Sequence, residues 1–451
     1  MIIPSIDIMG GRAVQLSRGS RFEMDCGDPR ELVERWSVYG QVAVVDLDAA
    51  LGQGDNSALM LDLVKRAPCR VGGGLRDQAD VTRFLDAGAQ AVMLGTRAEP
   101  EFLSLFPRQR LIVALDGQDG RVSVDGWRRD TGLGVRERFL ELAPYASGFL
   151  VTDVGREGLL GGLDLDSARG LTALAADSGW DGRLCFAGGL RSADEVAALD
   201  ALGADVQAGM AIYSGVLDPA DALIACLRSD RPDGLWPTVV CDQRGVALGL
   251  AWSDAESLRL AISERAGVYR SRTRGLWRKG RESGNPQELV RVDLDCDRDA
   301  LRFTARQRGE GFCHQGTRSC WGSGGLAADP ADSGLGRLWR TVDGRLADLA
   351  SGSAPAASYT ARLASDPALL AAKLREEADE LALARTPDEA ASEAADVFYF
   401  LATALAAKGS SLEAAERVLD ARSLRLTRRP GNAKPGALAG AVRFTAAEGI
   451  H

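Results

Sequence analysis

Gly73-Gly74-Leu75-Arg76 returns as Gly188-Gly189-Leu190-Arg191, 115 residues later. Ile6-Asp7 returns as Leu115-Asp116 after 109 residues, Val45-Asp46 as Thr152-Asp153 after 107, and Gly95-Thr96 as Gly209-Met210 after 114. Around these landmarks lie short runs of Val, Ile, Leu and Ala, for example at 42–47, 91–94, 111–115 and 149–152, each followed by a helix-like segment. Strands alternating with helices predict a parallel sheet, open or closed. The duplication decides between them. Two halves of four β/α units make a closed (β/α)8 TIM barrel, whereas an open doubly wound sheet predicts no repeat. The barrel is expected over 1–228.

Barrel active sites lie at the carboxyl ends of the strands, where Asp7 and Asp116 end the first and fifth. Opposed carboxylates serve as general acid and base when their surroundings split their pKa values. Gly73, Gly74 and Arg76 with Gly95 and Thr96 in one half, and Gly188, Gly189 and Gly209 in the other, let backbone N–H groups approach an anion. Two such cradles predict a ligand with two phosphates. Structural glycines and capping aspartates are the plainer alternative.

Arg231-Pro232-Asp233-Gly234 breaks the pattern, so 229–235 reads as a linker before a small α+β domain at 236–325 with one helix near 254–266. There Asp293-Leu294-Asp295-Cys296-Asp297-Arg298-Asp299 precedes Cys313-His314 and Cys320. If the first part is a strand, alternation puts the four aspartates on one face and Cys296 on the other. Such a row repels itself unless a hard cation such as Mg²⁺ stands before it. Three thiols and an imidazole are separate, soft ligands suited to Zn²⁺, which lowers the pKa of a bound water. An acidic edge strand with scattered cysteines is the alternative.

A second low-information stretch, 351–357, precedes Ala-, Leu- and Glu-rich helices expected at 367–384, 387–407 and 412–424, an all-α domain over 355–425. Glu376, Glu377 and Glu380 share one helical face, and Glu393 and Asp396 another. Five facing acids imply Mg²⁺, unless they are a solvated face. The remainder, 426–451, is basic and then Ala/Gly-rich, a flexible tail in which Arg428 and Arg429 could meet a phosphate.

At 451 residues the chain suggests two to four domains. A net charge of −9 and pI near 5.1 argue against nucleic-acid or anionic-membrane partners. No apolar run reaches membrane-spanning length, and Met1-Ile2-Ile3-Pro4 lacks a basic n-region and cleavage site, so no membrane is expected. Eight scattered cysteines favour thiol and metal chemistry in the cytoplasm over a disulfide framework. Only His314 and His451 exist, so histidine triads elsewhere are excluded.

Ile3-Pro4-Ser5-Ile6-Asp7, Val45-Asp46-Leu47-Asp48, Val71–Arg76, Leu115-Asp116, Gly126-Trp127 and Thr152-Asp153 resemble the ProFAR isomerases of histidine biosynthesis. That resemblance implies an Amadori rearrangement of a bis-phosphorylated aminoaldose, with Asp7 as base, Asp116 as acid and Trp127 over the substrate. Glu157-Gly158-Leu159 stands where the family usually has Asp-Gly-Thr, Ala187 where Ser is usual, and Gln15 where Arg is common. A barrel that has lost turnover and acts as a scaffold is the rival reading.

The motifs of 236–325, from Tyr269-Arg270-Ser271-Arg272-Thr273-Arg274 through Leu276–Gly280 and Glu282–Asn285 to the acidic run and the cysteines, resemble phosphoribosyl-AMP cyclohydrolase. The resemblance implies zinc on Cys296, Cys313 and Cys320, Mg²⁺ on Asp295, Asp297 and Asp299, and ring opening by zinc-activated water. It also implies His314 for proton transfer, Arg272, Arg274 and Lys279 for phosphate, and a dimer with shared sites.

Ser358–Leu363, Lys373–Glu377 and Glu393–Tyr399 resemble phosphoribosyl-ATP pyrophosphatase, which implies Mg²⁺-assisted hydrolysis of a phosphoanhydride. Phe400 stands where His is usual. The three resemblances imply a multifunctional enzyme acting on phosphoribosyl nucleotides, a homodimer through its last two domains.

Overall fold

The computed structural model describes residues 1–273, 275–322 and 333–427. Eight parallel strands pair in chain order: Ile2–Met9, Val42–Asp46, Cys69–Gly72, Ala91–Leu94, Leu111–Gln118, Gly148–Asp153, Arg183–Ala187 and Asp205–Ala208. The last returns to the first, with Ile2 opposite Val206, so the ring is closed as the repeat predicts. Both faces of such strands are buried, which is why they read as nearly continuous apolar runs. Ile3, Ala43, Ala91, Met93, Ile112, Leu150 and Cys185, from six strands, form one core cluster. Outside the ring, Phe139, Phe149 and Trp180 meet at centroid distances of 4.8–5.3 Å, contacts of about 0.5–1.5 kcal/mol each beyond their buried area.

The repeat is also visible in the backbone. The first and fifth strands each run on into an antiparallel hairpin, Arg12–Ser17 with Arg21–Gly27 and Arg121–Val124 with Arg129–Gly134. Asp7 pairs with Val14 in one half and Asp116 with Ser123 in the other. Gly73 (φ +91°) and Gly188 (φ +96°) sit so close to the preceding strand that a Cβ would stand 2.2 Å from the Asp46 carbonyl and 2.4 Å from that of Asp153. Only glycine fits either turn.

The segment 236–321 belongs to the same compact unit as the barrel. Its four strands lie in the order Ala247–Ser253, Trp236–Cys241, Leu301–Gln307 and Gln287–Leu294. Helix Ala255–Glu264 starts at a capping box between Asp254 and Ser257, and Val268–Ser271 pairs with Gly275–Arg278 as a hairpin. The strand expected to run through 299 stops at Leu294. Beyond it the Asp295 carboxylate accepts the N–H groups of Asp299 and Ala300 at 3.0 and 3.2 Å, which curls the acidic run into a loop. The four aspartates therefore do not share one strand face, and Cys296 lies on a loop rather than on the opposite face. Asp293 stays on the strand, paired with Arg291 and Arg302.

The second unit is helical, as expected. Helices Tyr359–Ser365, Pro367–Leu383 and Pro387–Ala407 pack around Leu363, Leu370 and Phe400, and Leu412–Ser423 follows. Thr386 and Glu389 form a capping box with Pro387 at the first turn, worth about 1 kcal/mol. The 17-residue helix Gly334–Ala350 has no counterpart in the sequence reading, because Gly334, Gly336 and Gly344 weaken its helical signal. Pro387–Ala407 is long and apolar enough to cross a membrane by length and composition alone, contrary to the expectation that no segment would be. Alanine supplies much of that apolar length, and Glu393 and Asp396 lie within the helix. Of the expected tail, Leu426 and Thr427 donate backbone N–H groups to Asp86, and 428–451, with Arg428 and Arg429, lies outside the described residues.

Candidate active sites

The barrel mouth encloses a cavity of about 250 Å³. The barrel residues expected to bind or turn over the ligand all line it: Asp7, Asp116 and Trp127, with Gly73, Gly74, Arg76, Gly95 and Thr96 from one half and Gly188, Gly189 and Gly209 from the other. Two of them have structural duties as well. The Arg76 guanidinium donates to the carbonyls of Ala49 and Ala50 at 3.1 and 3.0 Å. The Thr96 hydroxyl accepts the Asp125 N–H at 3.0 Å and so holds the turn that carries Trp127.

Burial pushes the Asp7 carboxyl up to about 6, against a stabilising hydrogen bond from Ser5 at 3.0 Å. Burial also raises Asp116, opposed by hydrogen bonds from Trp127 and Thr152. A third acid faces them. Glu157 lines the same cavity and is pushed up to about 8, first by burial and then by the charges of Asp7, Asp116 and Asp153. By sequence Glu157 is a departure from the family pattern. Its place on the loop after the sixth strand, at the catalytic end of a barrel, was the available signal. Gln15 is buried with its amide against Gly209, so a neutral side chain occupies the rim of one cradle.

In 236–321, Asp295, Asp297 and Asp299 converge until their carboxylate oxygens lie within 4.8 Å of one another. Hydrogen bonding with Asp295 and the charge of Asp297 raise the Asp299 carboxyl, the signature of like charges forced together. A hard cation fits this oxygen set. In the same segment, Cys313, His314, Cys320, Arg272 and Lys279 line one cavity of about 450 Å³, and none of the three aspartates lines it. Lys279 is buried against Phe312, and its pKa falls through burial despite the opposing influence of Cys313 and Cys320. Two thiols and an imidazole on one cavity are ligands that suit a soft cation. Cys296 is exposed on the acidic loop and is not among the residues lining that cavity. Within one copy of the chain the thiol set is thus two plus one. Arg272 lies 5.4 Å from the Trp252 ring, and Arg274 falls outside the described residues.

In the helical unit, Glu377, Glu380 and Glu393 bring carboxylate oxygens within 4.8 Å of one another. The Glu380 carboxyl is raised by desolvation and then by Glu377, Glu393 and Glu376. Of the five acids expected there, these three converge. Glu376 turns to Lys373 at 3.0 Å, Lys373 also reaches Glu377 at 2.8 Å, and Asp396 is exposed outside the group. The three fit a hard cation.

Comparison with known proteins accords with this division. Residues 1–218 match the family model described as histidine biosynthesis protein, 249–322 that of phosphoribosyl-AMP cyclohydrolase, and 345–423 that of phosphoribosyl-ATP pyrophosphohydrolase. An imidazole-4-carboxamide isomerase of Gemmatimonas aurantiaca is 38% identical over 231 residues, 48% of this chain and 94% of that protein. The chain belongs to the histidine biosynthesis protein family. It carries three domains of that pathway, an isomerase, a cyclohydrolase and a pyrophosphohydrolase domain. The histidine biosynthesis trifunctional protein of Neurospora crassa is 49% identical over 221 residues, 49% of this chain and 24% of the relative. The bifunctional protein his7 of Schizosaccharomyces pombe is 44% identical over 218 residues, 48% of this chain and 49% of the relative. The chain spans about a quarter of the length of the trifunctional relatives it matches. Cyclohydrolases and pyrophosphohydrolases of these families generally use metal ions.

Proposed function

We propose that the chain carries out three consecutive steps of histidine biosynthesis, with domains at 1–228, 236–325 and 355–425. The helical domain hydrolyses phosphoribosyl-ATP to phosphoribosyl-AMP and pyrophosphate. The central domain opens the adenine ring of phosphoribosyl-AMP, and the barrel isomerises ProFAR to its ribulosyl form. The observation that carries the barrel reading is the convergence of opposed buried acids and two repeated Gly-Gly turns on one cavity.

In the barrel, a carboxylic acid protonates the ring oxygen of the aminoaldose and opens it, and a carboxylate then removes the C2 proton. Asp7, which ionises near 6, suits the base. Asp116 is the acid, and Glu157, protonated to about 8, holds a second proton in reach of the same cavity. The two Gly-Gly cradles take the terminal phosphates. Trp127 covers the substrate.

Asp295, Asp297 and Asp299 hold Mg²⁺ in the central domain, and Cys313 and Cys320 hold Zn²⁺ with Cys296 from a second copy of the chain. Bound zinc would supply a water acidic enough to attack a purine near neutral pH. His314 moves protons there, and Lys279, Arg272 and Arg274 bind phosphate. Separation of Cys296 from the other two thiols supports a homodimer. Glu377, Glu380 and Glu393 hold Mg²⁺ in the helical domain, with Glu376 and Asp396 around it. None of the eight cysteines is in a disulfide among the described residues, which supports a cytoplasmic setting.

Three variants test the reading. Asp7→Asn should abolish only isomerisation, Cys313→Ala only ring opening, and Glu377→Gln only pyrophosphate release. An isomerase rate untouched by Asp7→Asn, or absent from the wild type, would leave the barrel a scaffold.

A further inference from the structure

Arg298 stands inside the acidic loop, between Asp297 and Asp299, yet its side chain leaves that loop for the barrel. Nε donates to one carboxylate oxygen of Asp200 at 2.7 Å and Nη2 to the other at 2.9 Å. Asp200 lies on helix Ala193–Ala201, which follows the seventh barrel strand, and the side chains are 18% and 6% exposed. The third arm of the guanidinium, Nη1, donates to the Asp295 carbonyl within the loop. The Arg298 carbonyl in turn accepts the Arg228 N–H at 2.8 Å. Arg298 also has φ +68°, a left-handed conformation that a residue with a side chain keeps only when its neighbours hold it there.

Three carboxylates sharing one exposed loop repel one another, and that repulsion tends to open the loop unless something stiff restrains it. A guanidinium fork on a fixed carboxylate is such a restraint, since both prongs set its orientation. Its charge is met by Asp200, which also takes the Met1 ammonium at 3.1 Å, so the restraint leaves the three loop carboxylates available to a cation. We infer that Arg298 and Asp200 are positioning residues through which the barrel holds Asp295, Asp297 and Asp299 in shape for a divalent cation. This rests on the cyclohydrolase reading of that loop. Arg259 on Asp221 at 2.5 Å, and Arg265 on the Glu34 carbonyl at 2.6 Å, join the same two parts of the chain without forming these loop contacts. They provide controls.

The test uses the full-length protein with Mn²⁺ alone as probe, following the site that Asp297→Asn removes. Asp200→Asn and Arg298→Gln should each weaken Mn²⁺ binding there about tenfold, with isomerase kcat/KM unchanged. Asp200→Glu should restore part of the affinity, and Arg259→Gln should leave it intact. Unchanged affinity in both clamp variants, or an equal loss in Arg259→Gln, overturns the inference. Should the clamp variants fail to fold, amide exchange in Arg298→Lys decides. The Asp299 and Ala300 N–H groups should exchange more than about tenfold faster, and unaltered exchange overturns the inference. A wild type that opens no phosphoribosyl-AMP ring would sink the cyclohydrolase reading instead, while the exchange result still decides the clamp.

Discussion

The indole of Trp127 lies against the backbone of Gly19, so close that a Cβ on Gly19 would stand 2.3 Å from the ring. These residues sit at the turns of the two hairpins that extend the first and fifth strands, so the two halves of the repeat meet over the cavity. Gly19→Ala must therefore displace the indole, and at φ +64° it also adds backbone strain of about 1 kcal/mol. The expected result is a roughly tenfold rise in KM for isomerisation, with both hydrolytic activities unchanged. Steady-state kinetics of the three reactions check this.

The barrel acids predict a bell-shaped pH profile. Isomerase kcat/KM should rise as Asp7 ionises near 6 and fall as Glu157 loses its proton near 8. The limbs belong to the coupled set of acids rather than to single residues. Glu157→Gln should remove the alkaline limb; if Asp116→Asn removes it instead, Asp116 alone is the proton donor. Stability follows the same groups. Both folded pKa values lie above the ordinary 3.8 and 4.5, so the stabilisation is complete below those values and is lost as pH rises through about 6 and about 8. Urea midpoints at pH 6 and pH 9 should differ less in Glu157→Gln than in the wild type.

The two-plus-one thiol set predicts complementation. Cys296→Ser and Cys313→Ser should each lack ring-opening activity and retain less than the wild-type complement of zinc. Mixing them under exchange conditions should restore up to about a quarter of wild-type sites, since a random hybrid pairs one intact thiol set with one doubly impaired set. No recovery in demonstrated hybrid dimers contradicts sharing of the site between copies.

In the helical domain the carboxylates divide into those that converge and those that do not. Glu377→Gln should weaken Mg²⁺ dependence of pyrophosphate release at least about tenfold. Asp396→Asn, outside the converging group, should cost less, as read from Mg²⁺ titrations of the rate.

The barrel was legible because duplication is written along the chain: Gly73 and Gly188 fill equivalent turns that no other residue fits. Of the acids lining its cavity, Asp7 and Asp116 were legible and Glu157 was not, since its setting arises from burial beside two aspartates distant in sequence. The acidic run misled for a different reason. Period-two spacing looks the same in a strand and in a loop closed by Asp295, and what separates them is whether that carboxylate turns back to the Asp299 and Ala300 N–H groups. Glu376 likewise shares the helical spacing of Glu377 and the same Lys373 partner, yet only Glu377 converges with Glu380 and Glu393. The Arg298–Asp200 pair spans 98 residues of sequence, and no local pattern marks it.

Supplying the purified full-length protein with phosphoribosyl-ATP, Mg²⁺ and Zn²⁺ and following products by mass and chromatography tests the central claim most directly. Pyrophosphate release, ring opening and then conversion of ProFAR to its ribulosyl isomer are predicted in that order. A reaction that halts at phosphoribosyl-AMP, or at ProFAR, contradicts the claim that one chain performs all three.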